Sequence, residues 1–146
     1  MKLYTYWRSQ ASFRVRIALR LKGLVAETIS LDLLKGDQFD PTYRALNPEM
    51  VVPTLLDGDG PPLVQSLAIL EYLEEKYPQP PLLPVDLRAR AHVRALAQMP
   101  AMDAHPCATT QHNAMVAAPP SQRPSTVQSE CRPRTTGEVT PPSTAP

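Results

Sequence analysis

Neither a long apolar run, nor an excess of charge of one sign, nor enough cysteine for a disulfide framework is present in this 146-residue chain. No uninterrupted apolar stretch approaches the ~20 residues needed to cross a bilayer. The first eight residues carry the single charge Lys2 before Arg8 ends the apolar segment, too soon for a signal peptide. A formal net charge of +1 creates no field to draw nucleic acid or an anionic membrane, so neither is expected as a partner. The two cysteines, Cys107 and Cys131, form no Cys-x-x-Cys pair and suit a reducing cytoplasm.

Proline, by contrast, is abundant: 18 residues, more than twice the usual share of about 5%. Its placement divides the chain. Every aromatic residue (Tyr4, Tyr6, Trp7, Phe13, Phe39, Tyr43, Tyr72 and Tyr77) precedes Pro78, whereas the stretch after Cys107 is built from Ser, Thr, Pro and Ala. That stretch lacks the large side chains whose burial offsets backbone ordering at about 1–2 kcal/mol per residue. It is expected to be disordered. By composition the chain therefore reads as two pieces that part near Cys107; the proline-rich linker before Pro84 further sets an α/β domain over residues 1–83 apart from a helical stretch over 84–106, ahead of the tail over 107–146.

Within the first piece, Lys2 to Tyr6 has the alternation of a short strand. Phe13, Ile17 and Leu21 recur four residues apart, with Ala18 beside them and Arg16 and Arg20 on another stripe, which predicts an amphipathic helix closed by Gly23. Ala26 to Leu33 returns to a period of two and completes a βαβ unit. Asp37 to Leu46 reads as a short helix or irregular connection that stops before Asn47-Pro48. Val51 to Asp57 is a strand broken near Pro53, and Asp57-Gly58-Asp59-Gly60 turns it back into Leu63-Val64. Ser66 opens a helix with Ile69, Leu70, Leu73 and Tyr77 on one face, which Pro78 ends. After a proline-rich linker, Asp86 caps a further helix bearing Ala89, Val93, Leu96 and Ala97 on one side until Pro100 interrupts it. The order β-α-β-α-β-β-α, followed by one partial helix, is a thioredoxin-like arrangement with helices on both faces of a mixed sheet.

Three segments, in this order and spacing, carry a resemblance: Trp7-Arg8-Ser9-Gln10-Ala11-Ser12-Phe13-Arg14-Val15-Arg16-Ile17-Ala18-Leu19, Asn47-Pro48-Glu49-Met50-Val51-Val52-Pro53-Thr54-Leu55, and Gln65-Ser66-Leu67-Ala68-Ile69-Leu70-Glu71-Tyr72-Leu73-Glu74-Glu75. Together they resemble the zeta-class glutathione transferases, which include the maleylacetoacetate and maleylpyruvate isomerases. The resemblance implies a glutathione-dependent cis–trans isomerase of a small maleyl dicarboxylate. The alternatives are a general glutathione transferase and a non-catalytic glutathione-binding or interaction module. It further implies a homodimeric family, glutathione as the cofactor, and no metal.

Residue by residue, the resemblance assigns Ser9 to the glutathione thiolate and Val52, Pro53, Gln65 and Ser66 to the peptide, with Pro53 as the cis-proline of the fold, which exposes the Val52 backbone to pair with the cysteinyl part. Arg8, the better placed of Arg8 and Arg14, is assigned to the substrate carboxylate. His105, in Asp103-Ala104-His105-Pro106, is assigned to the substrate side. The physical reading is compatible. Ser9 lies in a turn before a helix, where free N–H groups and the helix dipole favour an anion such as a thiolate. Read without the resemblance, Ser9 or Ser12 is a helix cap, Ser66 another, Pro53 an ordinary trans proline, Arg8 a solvated cation and His105 a structural histidine. The family often carries Ser-Ser-Cys where this chain has Ser9-Gln10-Ala11, a departure that argues against a redox contribution and leaves the thiolate-stabilising serine in place. His105, Cys107, His112 and Cys131 match no standard zinc spacing. The resemblance stops near residue 106, where the composition changes within a residue or two; a reading-frame shift or a truncation produces such a break. Either would remove the helical half that carries part of the family's electrophile pocket, which leaves this chain's own activity an open question.

Overall fold

The computed structural model describes residues 1–104. Alternation sets the first strand, β1 (Lys2–Thr5): Leu3 and Thr5 are buried, while Lys2 is exposed. The chain then turns into α1 (Gln10–Leu21), which ends as its glycine predicts. Gly23 takes φ +65°, its N–H donates to Arg20 O, and the Leu24 N–H donates back to Leu19 O, a Schellman closure that only a residue tolerant of the left-handed region forms without strain. The crossover places β2 (Glu27–Ser30) parallel to β1.

Past β2, Asp37–Phe39 forms one tight turn and α2 (Pro41–Leu46) follows, with Asp40 accepting from the Thr42 N–H and Pro41 at the first helical position. Next come β3 (Thr54–Leu56) and β4 (Leu63–Val64), antiparallel to each other, with β3 also antiparallel to β1. The sheet order is β2-β1-β3-β4. α3 (Ser66–Lys76) and α4 (Leu87–Gln98) complete the regular structure, and Met99–Ala104 continues as a wider helical turn across Pro100. No helix among the described residues is long and apolar enough to cross a membrane.

One face of the sheet packs Leu3 and Leu55 against Val15, Ala18 and Leu19 of α1 and Ile69 and Leu73 of α3. On the other, Tyr6, Tyr43 and Val52 gather with Tyr4, Leu31 and Leu33 under α2. The thioredoxin-like arrangement read from the element order is the one found. The orientation of α1 is not. The stripe Phe13, Ile17 and Leu21 is exposed, and the helix turns Ala11, Val15, Ala18 and Leu19 inward instead. Both stripes satisfy the helical period, and the smaller side chains are the ones set against the sheet. On α4, Ala89, Val93 and Ala97 are half-buried as expected, whereas Leu96 points out.

Three polar ties brace these elements. Lys22, its side chain wholly buried, meets Glu74 at 2.6 Å and donates to the carbonyls of Tyr77 and Pro80, while Glu74 also accepts from the Leu82 and Leu83 N–H groups. Asp57 Oδ2 accepts from Tyr72, Lys76 and Tyr77, each at 2.9 Å, joining the β3–β4 hairpin to α3. Arg94 makes a two-pronged contact with Glu71, at 2.9 and 2.8 Å, that fastens α4 to α3.

Candidate active site

The strand register predicts where the functional residues meet. Thr54 pairs with Val64 and Leu55 with Leu63, so continuing the β3–β4 ladder sets Pro53 opposite Gln65 and Val52 opposite Ser66. Tyr4 pairs with Thr54, and the same continuation sets Val52 beside Tyr6, at the start of the turn that carries Arg8 and Ser9. The Tyr6 and Val52 side chains do pack together. One edge of the sheet thus collects the end of β1, the start of β3, the end of β4, and the N-termini of α1 and α3.

Ser9 caps α1. Its Oγ accepts from the Ser12 N–H at 3.2 Å, and the Ser9 N–H donates to Tyr6 O. Accepting that bond uses a lone pair and leaves the hydroxyl proton available to a ligand. Of the two serines considered as caps, Ser9 is the one that performs the task; Ser12 is buried and its Oγ has no hydrogen-bond partner among the described residues. The turn itself is held from α1. Arg16 donates to Thr5 Oγ1 at 2.8 Å and to the carbonyls of Tyr6 and Trp7, which ties the end of β1 to the helix that follows. Arg8 stands exposed over the Trp7 ring at 5.6 Å, with no carboxylate partner among the described residues.

The Val52–Pro53 peptide bond is cis, as the resemblance implies, and not the trans bond of the plain residue reading. No hydrogen bond among the described residues uses the N–H or C=O of Val52, which leaves both for an extended ligand. The loop leading there is shaped by a buried polar cluster that sequence reasoning missed. Asn47 Nδ2 donates to Val51 O and Thr54 Oγ1, Asn47 Oδ1 accepts from the Glu49 N–H, and the Tyr43 hydroxyl bonds Val51 O and Thr54 Oγ1. Burial pushes the Tyr43 hydroxyl above its ordinary pKa, against the hydrogen bonds from Thr54 and Asn47, so it stays protonated and keeps its donor. The only sequence signal for this cluster was Asn47 standing before Pro48.

Gln65, at φ +68°, precedes α3 and donates from Nε2 to Glu49 Oε2 at 2.9 Å. The N-terminus of α3 has no side-chain cap and no acidic residue in its first turn, so its N–H groups and dipole are open to an anion. Ser66, buried at this terminus, accepts from Arg14 Nε and Nη2 at 3.3 and 3.1 Å. Burial lowers the Arg14 pKa from its ordinary value, the direction expected of a cation taken partly out of water without a carboxylate beside it. Among the described residues no group of three or more His, Cys, Asp or Glu side chains is placed to hold a metal ion. His105 and the proline-rich stretch lie outside the described residues.

A thioredoxin-like sheet whose cis-proline edge meets the serine-capped N-terminus of α1 and the uncapped N-terminus of α3 defines a class of thiol-binding domain, and the comparisons agree with it. The chain belongs to the family described as "Glutathione S-transferase, N-terminal domain", whose model matches residues 3–81. It is 50% identical over 118 residues to a maleylacetoacetate isomerase of Pseudomonas aeruginosa, covering 80% of this chain and 54% of the relative. Among solved structures, the maleylacetoacetate isomerase of Methylobacterium extorquens AM1, crystallised with malonate and glutathione, matches with a TM-score of 0.74 and 55% identity, over 79% of this chain and 55% of that one. A bacterial zeta-class maleylpyruvate isomerase matches with a TM-score of 0.69 and 49% identity, over 73% of this chain and 50% of that one. The chain spans about half the length of these relatives.

Proposed function

We propose that this chain is the glutathione-binding half of a zeta-class glutathione transferase that isomerises a maleyl dicarboxylate, maleylacetoacetate or maleylpyruvate, from cis to trans. The observation that carries the reading is the convergence at one sheet edge of a Val52 backbone and a Ser9 hydroxyl proton that no other described residue engages, and an anion-ready α3 terminus at Ser66. These fit the three chemical parts of glutathione: a peptide strand, a thiol and a γ-glutamyl carboxylate. When bound, glutathione supplies a thiolate that adds reversibly to the activated double bond.

The residues divide the work. Val52 pairs with the cysteinyl backbone as an added strand would, next to Pro53. Ser66 and the α3 N–H groups take the γ-glutamyl carboxylate, with Gln65 at the same terminus. Ser9 donates to the sulfur and, with the α1 N-terminus, favours its ionised form. Arg8, exposed and without a carboxylate partner among the described residues, holds a substrate carboxylate. His105 is proposed on the substrate side by resemblance alone. The organisation that accompanies this reading is a glutathione-binding domain over residues 1–83 and the start of a helical region over 84–106, in a cytoplasmic enzyme whose family pairs as homodimers.

Two variants of Ser9 separate catalysis from capping. Ser9→Ala loses the cap and the donor; Ser9→Asp keeps a cap acceptor but sets a negative charge against the thiolate. Both are expected to lower isomerase turnover at least tenfold and to raise the pKa of bound glutathione thiol, read by its ultraviolet thiolate absorbance, while only Ser9→Ala lowers stability by about 1 kcal/mol. Unchanged turnover in both variants removes Ser9 from the mechanism. The half-length coverage favours a second reading, a glutathione-binding module without catalysis. Retention on glutathione resin with no turnover supports that second reading, and measurable turnover refutes it.

A further inference from the structure

We propose that Arg14 is the positioning residue of the α3 terminus: it orients the Ser66 hydroxyl and supplies the charge by which this edge selects thiols carrying a γ-glutamyl α-carboxylate. The inference rests on the glutathione reading above. A serine hydroxyl has two lone pairs and one proton. Arg14 Nε and Nη2 both donate to Ser66 Oγ, and so occupy both lone pairs. The proton is then the hydroxyl's only remaining bonding capacity, and Ser66, more than nine-tenths buried, donates it to no group among the described residues. Its missing partner is an acceptor.

The charges around it narrow that acceptor to an anion. Arg14 is half-buried and has no carboxylate partner among the described residues. α3 begins beside it without a cap or an acid in its first turn. Glu49, the carboxylate bonded at this edge, is engaged by the Gln65 amide rather than by the guanidinium. A guanidinium, a donor-only hydroxyl and a helix N-terminus therefore share one place and one sign of charge. Arg14 reaches this place from α1, 52 residues away in sequence, so the same contact also fixes the α3 terminus relative to the Ser9 turn.

The test is calorimetric titration of the full chain with two ligands: glutathione, and γ-aminobutyryl-cysteinyl-glycine, which lacks only the α-carboxylate. Wild type is expected to prefer glutathione. Arg14→Met is expected to weaken glutathione by about tenfold to a hundredfold and to leave the analogue within about twofold. Arg14→Lys, which keeps the charge and loses the fork, should recover part of the preference. Combined with Ser66→Ala, Arg14→Met should lose less than the product of the two single losses, because the pair acts as a unit. Equal weakening of both ligands makes Arg14 merely structural and overturns the proposal, as does unchanged glutathione affinity. A wild-type chain that binds neither ligand overturns the glutathione reading itself, whereas one that binds both equally well overturns only the carboxylate selection.

Discussion

Lys22 shows how a single side chain can join three segments. Its ammonium is shielded from water at the end of α1 and is matched by the Glu74 carboxylate and two carbonyls of the linker after α3. Removing one partner of such a pair leaves the other charge buried without compensation. Lys22→Met is therefore expected to lower stability by about 3–5 kcal/mol, a loss readable in urea titrations. A loss below about 1 kcal/mol would mean that water reaches Glu74 once the lysine is gone. Nothing in the local pattern marks Lys22 as special: it stands beside Gly23 where a surface lysine normally stands, and its partner is 52 residues away.

At the scale of the element, α1 offers two apolar stripes, and only one meets the sheet. Leu19 is 5% exposed and Leu21 is 60% exposed, although both are leucines two residues apart on one helix. Leu19→Ala should cost about 2–5 kcal/mol through lost burial and the cavity left behind. Leu21→Ala should change stability by less than about 0.5 kcal/mol. Thermal or urea unfolding of the two variants checks the assignment; equal losses would mean that the outer stripe is covered in solution. The hairpin and α3 are coupled more locally, through Asp57 and its three donors.

For the whole molecule, the carboxylates that hold elements together dictate the response to acid. Burial works to raise the Asp57 carboxyl, but the donors Lys76, Tyr72 and Tyr77 outweigh it and hold the group below its ordinary range. Glu74 behaves alike: burial raises it, and Lys22 with the Leu82 and Leu83 N–H groups brings it below. Arg94 lowers Glu71 directly, against a smaller effect of burial. A carboxyl depressed in the folded state is ionised there while its unfolded counterpart takes up protons. The stabilisation is thus complete above the unfolded pKa of about 4 and is lost as pH falls through the lower folded value. Unfolding midpoints should fall steadily below about pH 5, and Asp57→Asn should flatten that fall. An undiminished slope in the variant would remove Asp57 from the acid response.

The order of elements, the Gly23 closure, the Asp86 cap and the stop at Pro78 were legible in the sequence because each is a local property: a period of two or 3.6, a capping side chain, a missing N–H. So were Ser9 and Ser66 as residues at helix starts, since a cap and an anion site draw on the same unpaired N–H groups. The cis isomer of Val52–Pro53 was legible only through the resemblance, since no local pattern favours it. Tertiary structure alone decided which stripe of α1 is buried, that Asn47 and Tyr43 shape the loop before Val52, and that Arg14 rather than solvent holds Ser66. The physical reason is common to all three. Periodicity states that a face is apolar and composition that a group is charged, but the partner of either is chosen by packing, which brings together residues that no local pattern relates.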